Sequence, residues 1–264
     1  MKVEEMREAL IVFMKKKAEA LRPWGGALYF TEEDERELRE WPPFRVEAAF
    51  FLINSNISSG DFGDASICPW CQALGSVCSN CRYGERHGRC DSFKDNNTYG
   101  LILSRGEADV LEDLIEEDID ELWEASLEEA GVDVERELEA LVAFAKWQAE
   151  ELAEGLEEPE RWPSLFTPED EQDLRRWPLH LIIAVHKEID AAVEEGRMDD
   201  SAISPWCLAS FSQCSWCRYA ARHGKCASAA SDHYQVTSVV CPTGSFVEWV
   251  GEDEVARKWK EVNK

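Results

Sequence analysis

Eight cysteines of the chain form two sets of four with the same spacing. Each set follows the pattern C-x6-C-x2-C-x8-C, and the second set lies 136 residues after the first. Four thiolates supplied by one short segment are typical ligands of zinc or of an iron–sulfur cluster. The spacing therefore predicts two metal sites, with the ligands Cys71, Cys78, Cys81 and Cys90 in one and Cys207, Cys214, Cys217 and Cys226 in the other.

The spacing also bears on which metal is bound. Each set contains one close C-x2-C pair, Cys78/Cys81 or Cys214/Cys217, whereas zinc sites usually combine two such pairs separated by a dozen or more residues. A cubane cluster is larger than a zinc ion and accepts ligands spread over a loop and the start of a helix. We therefore expect two [4Fe-4S] clusters, with two Zn²⁺ ions as the alternative.

The run C-x6-C-x2-C resembles the start of the cluster loop in endonuclease III-like DNA glycosylases. That loop binds a [4Fe-4S] cluster, and its fourth cysteine follows after five residues. At that position this chain has His87 or His223, and its own cysteine comes three residues later. The resemblance covers about twenty residues in each copy. It implies a cluster and does not extend to the glycosylase domain.

Basic residues and one histidine recur behind each close pair. They are Arg82, Arg86 and His87 in the first copy, and Arg218, Arg222 and His223 in the second. A tetrathiolate centre carries net negative charge, so these residues are predicted to surround the metal as counter-charges. The alternative is an anion pocket beside the cluster. For the histidines, hydrogen bonding near a cysteine sulfur and direct ligation of the metal both stay open.

Two further cysteines lie outside the shared pattern. Cys68 forms the motif Cys68-Pro-Trp-Cys71, which looks like a glutaredoxin-type dithiol site, but the matching position in the second copy is Ser204. Cys241 has no counterpart. Neither cysteine is predicted to be a ligand, although Cys241 could be an alternative one.

The similarity between the copies extends well beyond the cysteines. Residues 30–90 align with residues 166–226 without a gap, with 28 identities in 61 positions. Duplication of one unit explains this pattern economically. The sequence therefore predicts a mainly α protein of two tandem homologous domains, residues 1–130 and 131–264, each with a four-cysteine metal-binding loop and a short β-like segment.

Each copy predicts the same order of elements. An opening helix is followed by a second helix that Thr31 or Thr167 caps and that ends at Trp41-Pro42 or Trp177-Pro178. A third helix follows, over residues 44–57 or 179–195. After the cysteines come the β-like runs 99–103 and 235–240. A closing helix ends each copy, from residue 104 onward or over residues 246–262.

Composition narrows the classes of partner. The 54 acidic and 28 basic residues give a formal net charge of −26. Such a surface repels nucleic-acid backbones and anionic lipid, and it favours a basic protein as partner. The amino terminus has no signal-peptide pattern, so a cytoplasmic protein with reduced thiols and without membrane attachment is expected. The oligomeric state stays open.

Three functions fit these features, and whether the protein is an enzyme stays open. The first is electron transfer by one cluster in each domain. The second is a non-enzymatic interaction protein that zinc stabilises and that presents an acidic docking surface. The third is an enzyme that uses the arginine and histidine side chains beside the metal.

Overall fold

The computed structural model describes residues 1–20, 30–61, 66–74, 81–87, 108–158, 164–210, 213, 215, 217–224, 235–236, 239–241 and 245–264. In the segment that begins at residue 108, side chains are described from residue 119 onward. The described residues form helices joined by turns, and no strand occurs among them. The predicted mainly α class is confirmed. The chain divides into two compact units, unit 1 (Met1–Asp133) and unit 2 (Val134–Lys264).

Six helices are described in unit 1. They are α1 (Val3–Ala20), α2 (Glu32–Glu40), α3 (Pro43–Ser58), α4 (Pro69–Leu74), α5 (Arg82–His87) and α6 (Ala108–Glu129). Helix α1 packs against α2, α3 and α6, while α3 also packs against α4 and α6. The apolar stripe of α1, which includes Leu10 and Phe13, is fully buried by these neighbours.

Seven helices are described in unit 2. They are α7 (Glu135–Glu154), α8 (Pro168–Leu174), α9 (Leu179–Glu195), α10 (Pro205–Ala209), α11 (Arg218–His223), α12 (Phe246–Val250) and α13 (Glu252–Val262). Helix α7 packs against α8, α9 and α13, while α9 also packs against α10 and α13. These packing pairs have the same order along the chain as those of unit 1.

A buried tryptophan lies at the centre of each unit. Trp123 on α6 contacts the ring of Phe13 edge-on, and its indole N–H donates to Asn54 Oδ1 at 2.9 Å. Trp259 on α13 contacts Phe144 in the same way, and its N–H donates to Asp190 Oδ1 at 2.7 Å. Each buried indole donor is thus satisfied by α3 or α9.

The second helix of each unit begins as predicted. Thr31 and Thr167 are N-caps whose side chains accept from the amides of Asp34 and Asp170. Both helices have complete capping boxes, because each aspartate also accepts from the amide of its threonine. The third helices end close to the predicted residues, and Gly196 caps α9 in the left-handed conformation.

Two predictions about the end of unit 2 are wrong. The β-like run 235–240 is helical at its four described residues, with Val236 and Val240 buried and Val239 exposed. A short valine-rich run does not by itself distinguish a strand from a buried helical turn. The closing helix is divided into α12 and α13 because Gly251 adopts a φ of 95° between them. The run 99–103 and the start of the first closing helix, residues 104–107, lie outside the described residues.

None of the described helices combines the length and apolar character that crossing a bilayer requires.

Candidate metal centre

Two cysteines of each predicted set lie in the described part of the chain. Cys71 is on α4 and Cys81 immediately precedes α5, and both side chains are buried. Cys207 on α10 is partly exposed, whereas Cys217, the N-cap of α11, is buried. In unit 2 the two thiols lie close enough for the charge of Cys207 to influence Cys217. Each unit thus presents two thiols on neighbouring short helices.

An aromatic stack joins the two cysteine-bearing helices in each unit. Trp70, next to Cys71, stacks on Tyr83 of α5 with ring centroids 4.6 Å apart. In unit 2, Trp206 lies 4.8 Å from Tyr219 in the same way. Because each tryptophan is adjacent to one cysteine and each tyrosine lies two residues after the other, the stack fixes the position of α4 against α5 and of α10 against α11.

Backbone amides donate to the sulfur that precedes α5 and α11. The Gly84 amide lies 3.3 Å from Cys81 Sγ, and the Ala220 amide lies 3.4 Å from Cys217 Sγ. Burial raises the pKa of the Cys217 thiol, and the nearby Cys207 adds to the rise, although the Ala220 amide opposes it. Amide hydrogen bonds to sulfur are a feature by which proteins adjust metal–thiolate centres.

A buried carboxylate holds the other end of α5. We call Thr31, Asp34, Arg86 and His87 the Asp34 cluster. The fully buried Asp34 carboxylate accepts from His87 Nε2 at 2.8 Å and from Arg86 Nε at 2.8 Å. Glu37 accepts from the same arginine at 2.7 Å. The cluster therefore fastens α5 to the first turn of α2 through charge-assisted hydrogen bonds.

Unit 2 contains the same arrangement, the Asp170 cluster of Thr167, Asp170, Arg222 and His223. Asp170 is fully buried and accepts from His223 Nε2 at 3.0 Å and from Arg222 Nε at 2.7 Å. The imidazole of His223 also stacks on Tyr219, with centroids 4.3 Å apart, as His87 does on Tyr83. Aspartate, histidine, tyrosine and tryptophan thus form one continuous line of contacts in both units.

The histidine geometry restricts how a metal could be bound. An ionised carboxylate only accepts hydrogen bonds, so His87 and His223 donate to their aspartates from Nε2. The neutral rings would therefore have only Nδ1 available as a ligand atom. The sequence predicted a hydrogen bond near a cysteine sulfur for these histidines, whereas the described partner is a carboxylate.

Arg86 and Arg222 likewise have carboxylate partners that the sequence analysis missed. Asp34 and Asp170 are identical in the two copies, as the histidines are, and this shared identity was the available signal. The same offset of 136 residues also relates Trp123 to Trp259, outside the aligned segment. A role for the arginines as counter-charges of a metal stays a prediction.

Acid should weaken the Asp34 cluster. Burial alone would raise the pKa of Asp34, but hydrogen bonds from His87, Thr31 and Arg86 outweigh it and lower this pKa to about 2. A carboxyl whose folded-state pKa is lowered stabilises the fold above its unfolded pKa and loses this effect as the pH falls through the folded value. We expect urea denaturation to show a loss of about 2 kcal/mol between pH 5 and pH 2.

The comparison for that measurement is the Asp34→Asn variant, which has the same thiols and the same Asp170 cluster. The difference in unfolding free energy between the native protein and the variant should shrink toward low pH. A difference that is constant from pH 5 to pH 2 would contradict an ionised Asp34 in the folded state.

Cys78, Cys90, Cys214 and Cys226 lie outside the described residues. Among the residues that are described, no group of three or more histidine, cysteine, aspartate or glutamate side chains is placed to hold a metal ion. The described structure thus supplies two of the four predicted ligands in each unit. These two are thiols, buried in three of the four cases, on helices whose relative position is fixed, which fits a thiolate-bound metal.

Comparison of the chain with known protein families, curated proteins and solved structures gave no match.

Proposed function

We propose that the chain is an electron-transfer protein with two [4Fe-4S] clusters, one in each unit. Cys71, Cys78, Cys81 and Cys90 would bind one cluster, and Cys207, Cys214, Cys217 and Cys226 the other. The observation that carries the proposal is the stack of Trp70 on Tyr83 and of Trp206 on Tyr219. In both units it positions two helices that each present one thiol of the repeated four-cysteine pattern.

We also infer that the two units arose by duplication. The sequence identity between residues 30–90 and 166–226 supports this inference, and so do the matching helix packings. The Asp34 and Asp170 clusters share every hydrogen-bonding partner, at positions 136 residues apart. Two lineages of unrelated helical domains would have no physical reason to repeat such a set of contacts.

The surrounding residues suit a redox centre. A bound cluster would supply reversible one-electron chemistry at a potential set by hydrogen bonds to sulfur and by exclusion of water. The amides of Gly84 and Ala220 supply such hydrogen bonds. The indole and phenol rings beside the cysteines exclude water. With a net charge of −26, the chain would be expected to dock an electron partner that presents a basic surface.

Reduction under anaerobic conditions tests the redox role. Dithionite should decrease the visible absorption of the purified protein and produce an electron paramagnetic resonance signal, and reoxidation should restore the original spectrum. Zinc-loaded protein would give neither change, and it would favour the alternative of a metal-stabilised interaction protein. Iron-loaded protein that cannot be reduced reversibly would contradict electron transfer while retaining the cluster.

A further inference from the structure

A cavity of about 250 Å³ lies beside the cysteine-bearing helices of unit 1. Its lining comes from the end of α2, the start of α3, and α4 and α5. The side chains used below are Glu37, Glu40, Trp41, Arg45, Trp70 and Arg82. The volume suits a small molecule with a few polar groups.

The lining of this cavity contains hydrogen-bond donors that lack acceptors. The indole N–H groups of Trp41 and Trp70 are buried and have no partner among the described residues. Arg45 and Arg82 form no ion pair with any carboxylate in the described segments, although the Arg45 guanidinium lies 5.3 Å from the ring centre of Trp41. Buried donors are nearly always satisfied in folded proteins, so the cavity calls for an acceptor with negative charge.

Unit 2 shows what such an acceptor looks like. The residues that match Trp70, Arg82 and Glu37 are Trp206, Arg218 and Asp173, each 136 positions later. The Asp173 carboxylate accepts from Trp206 Nε1 at 3.3 Å and from Arg218 at 3.0 Å. A carboxylate of the chain itself therefore occupies the donors of unit 2.

The corresponding carboxylate of unit 1 is placed differently. Glu37 is one methylene longer than Asp173, and it accepts from Arg86 at 2.7 Å, while the indole of Trp70 has no described acceptor. A further difference adds positive charge to unit 1, because Arg45 matches Leu181 of unit 2. Unit 1 thus has the same tryptophan and arginine donors and one more cation, but without the internal carboxylate.

We propose that the unit 1 cavity binds a small carboxylic acid in its ionised form. The carboxylate oxygens accept from Trp70 Nε1–H and from Arg82, in the role that Asp173 has in unit 2, and Arg45 adds electrostatic attraction. Glu37 and Glu40 line the same cavity and disfavour ligands with a second negative charge. The proposal concerns the apolar and polar lining of unit 1 and does not depend on which metal the cysteines bind.

Ligand-observed saturation-transfer NMR with acetate tests this proposal on the full-length protein with its metal. At constant ionic strength, acetate should bind saturably. Arg82→Gln should weaken that binding roughly tenfold or more, because it removes a charged hydrogen-bond donor to the ligand. The matched control is Arg218→Gln, whose arginine is already occupied by Asp173, and it should change acetate binding less than about twofold.

A second variant tests the comparison between the units directly. Glu37→Asp shortens the acid to the residue of unit 2, so its carboxylate should occupy Trp70 and Arg82 and abolish acetate binding. Binding that both Arg82→Gln and Glu37→Asp retain, or a saturable response to phosphate but not to acetate, would overturn the proposal. Metal analysis of each variant separates these outcomes from failure of the cluster proposal, since the metal content should stay at the native value.

Discussion

Replacement of Cys217 by serine is expected to lower the metal content of the protein by about half. A tetrathiolate centre that loses one ligand binds its metal far more weakly, while the site of unit 1 has all four cysteines. Serine is a good N-cap and can still accept from the Ala220 amide, so the start of α11 should be kept. Iron, sulfide and zinc analysis of the variant, together with its visible absorption, measures the effect.

Cys68→Ser is the matched control for this prediction. Cys68 is buried close to Cys71 in sequence, but unit 2 already has Ser204 at the matching position. The control should therefore have the metal content of the native protein. Full metal content in Cys217→Ser would remove this cysteine from the ligand set, and a loss of about half in Cys68→Ser would move the ligand assignment of unit 1.

Asp34→Asn should destabilise unit 1 by about 3–5 kcal/mol, the usual result of removing one partner from a buried ion pair. Asparagine preserves the shape of the side chain but leaves Arg86 and His87 facing a neutral amide. Both residues are on α5, which carries the tyrosine of the aromatic stack, so the position of Cys81 should become less fixed. Urea denaturation at neutral pH measures the change in unfolding free energy.

An exposed ion pair of the same helix provides the comparison. Arg39 contacts Glu8 at 3.0 Å, and the two side chains are 48% and 39% exposed. Glu8→Gln should therefore cost less than about 1 kcal/mol. If Asp34→Asn were no more destabilising than Glu8→Gln, the Asp34 cluster would have no structural role in unit 1.

The local features of the fold could be predicted from the sequence because they depend on neighbouring residues. Thr31 and Thr167 precede aspartates at the spacing of a capping box, and the box forms in both units. Glycine after the third helices marks their ends for a similar reason, since only a left-handed residue closes the last turn easily.

The contacts of the candidate site could not be predicted in the same way. Asp34 and His87 are 53 residues apart in sequence, and no local rule links them. Their pairing requires α5 to pack near the first turn of α2, which depends on the tertiary arrangement of the whole unit. The valine-rich run 235–240 was misassigned for a related reason, because burial of Val236 and Val240 decides its conformation.

The most direct test of the central claim is metal and sulfide analysis of the native protein after anaerobic purification, with an absorption spectrum of the same sample. Two [4Fe-4S] clusters predict about eight iron and eight sulfide per chain and a broad band near roughly 400 nm. A colourless protein with about two zinc ions per chain would contradict the clusters but retain the cysteine sites. A protein that binds neither iron nor zinc would contradict both.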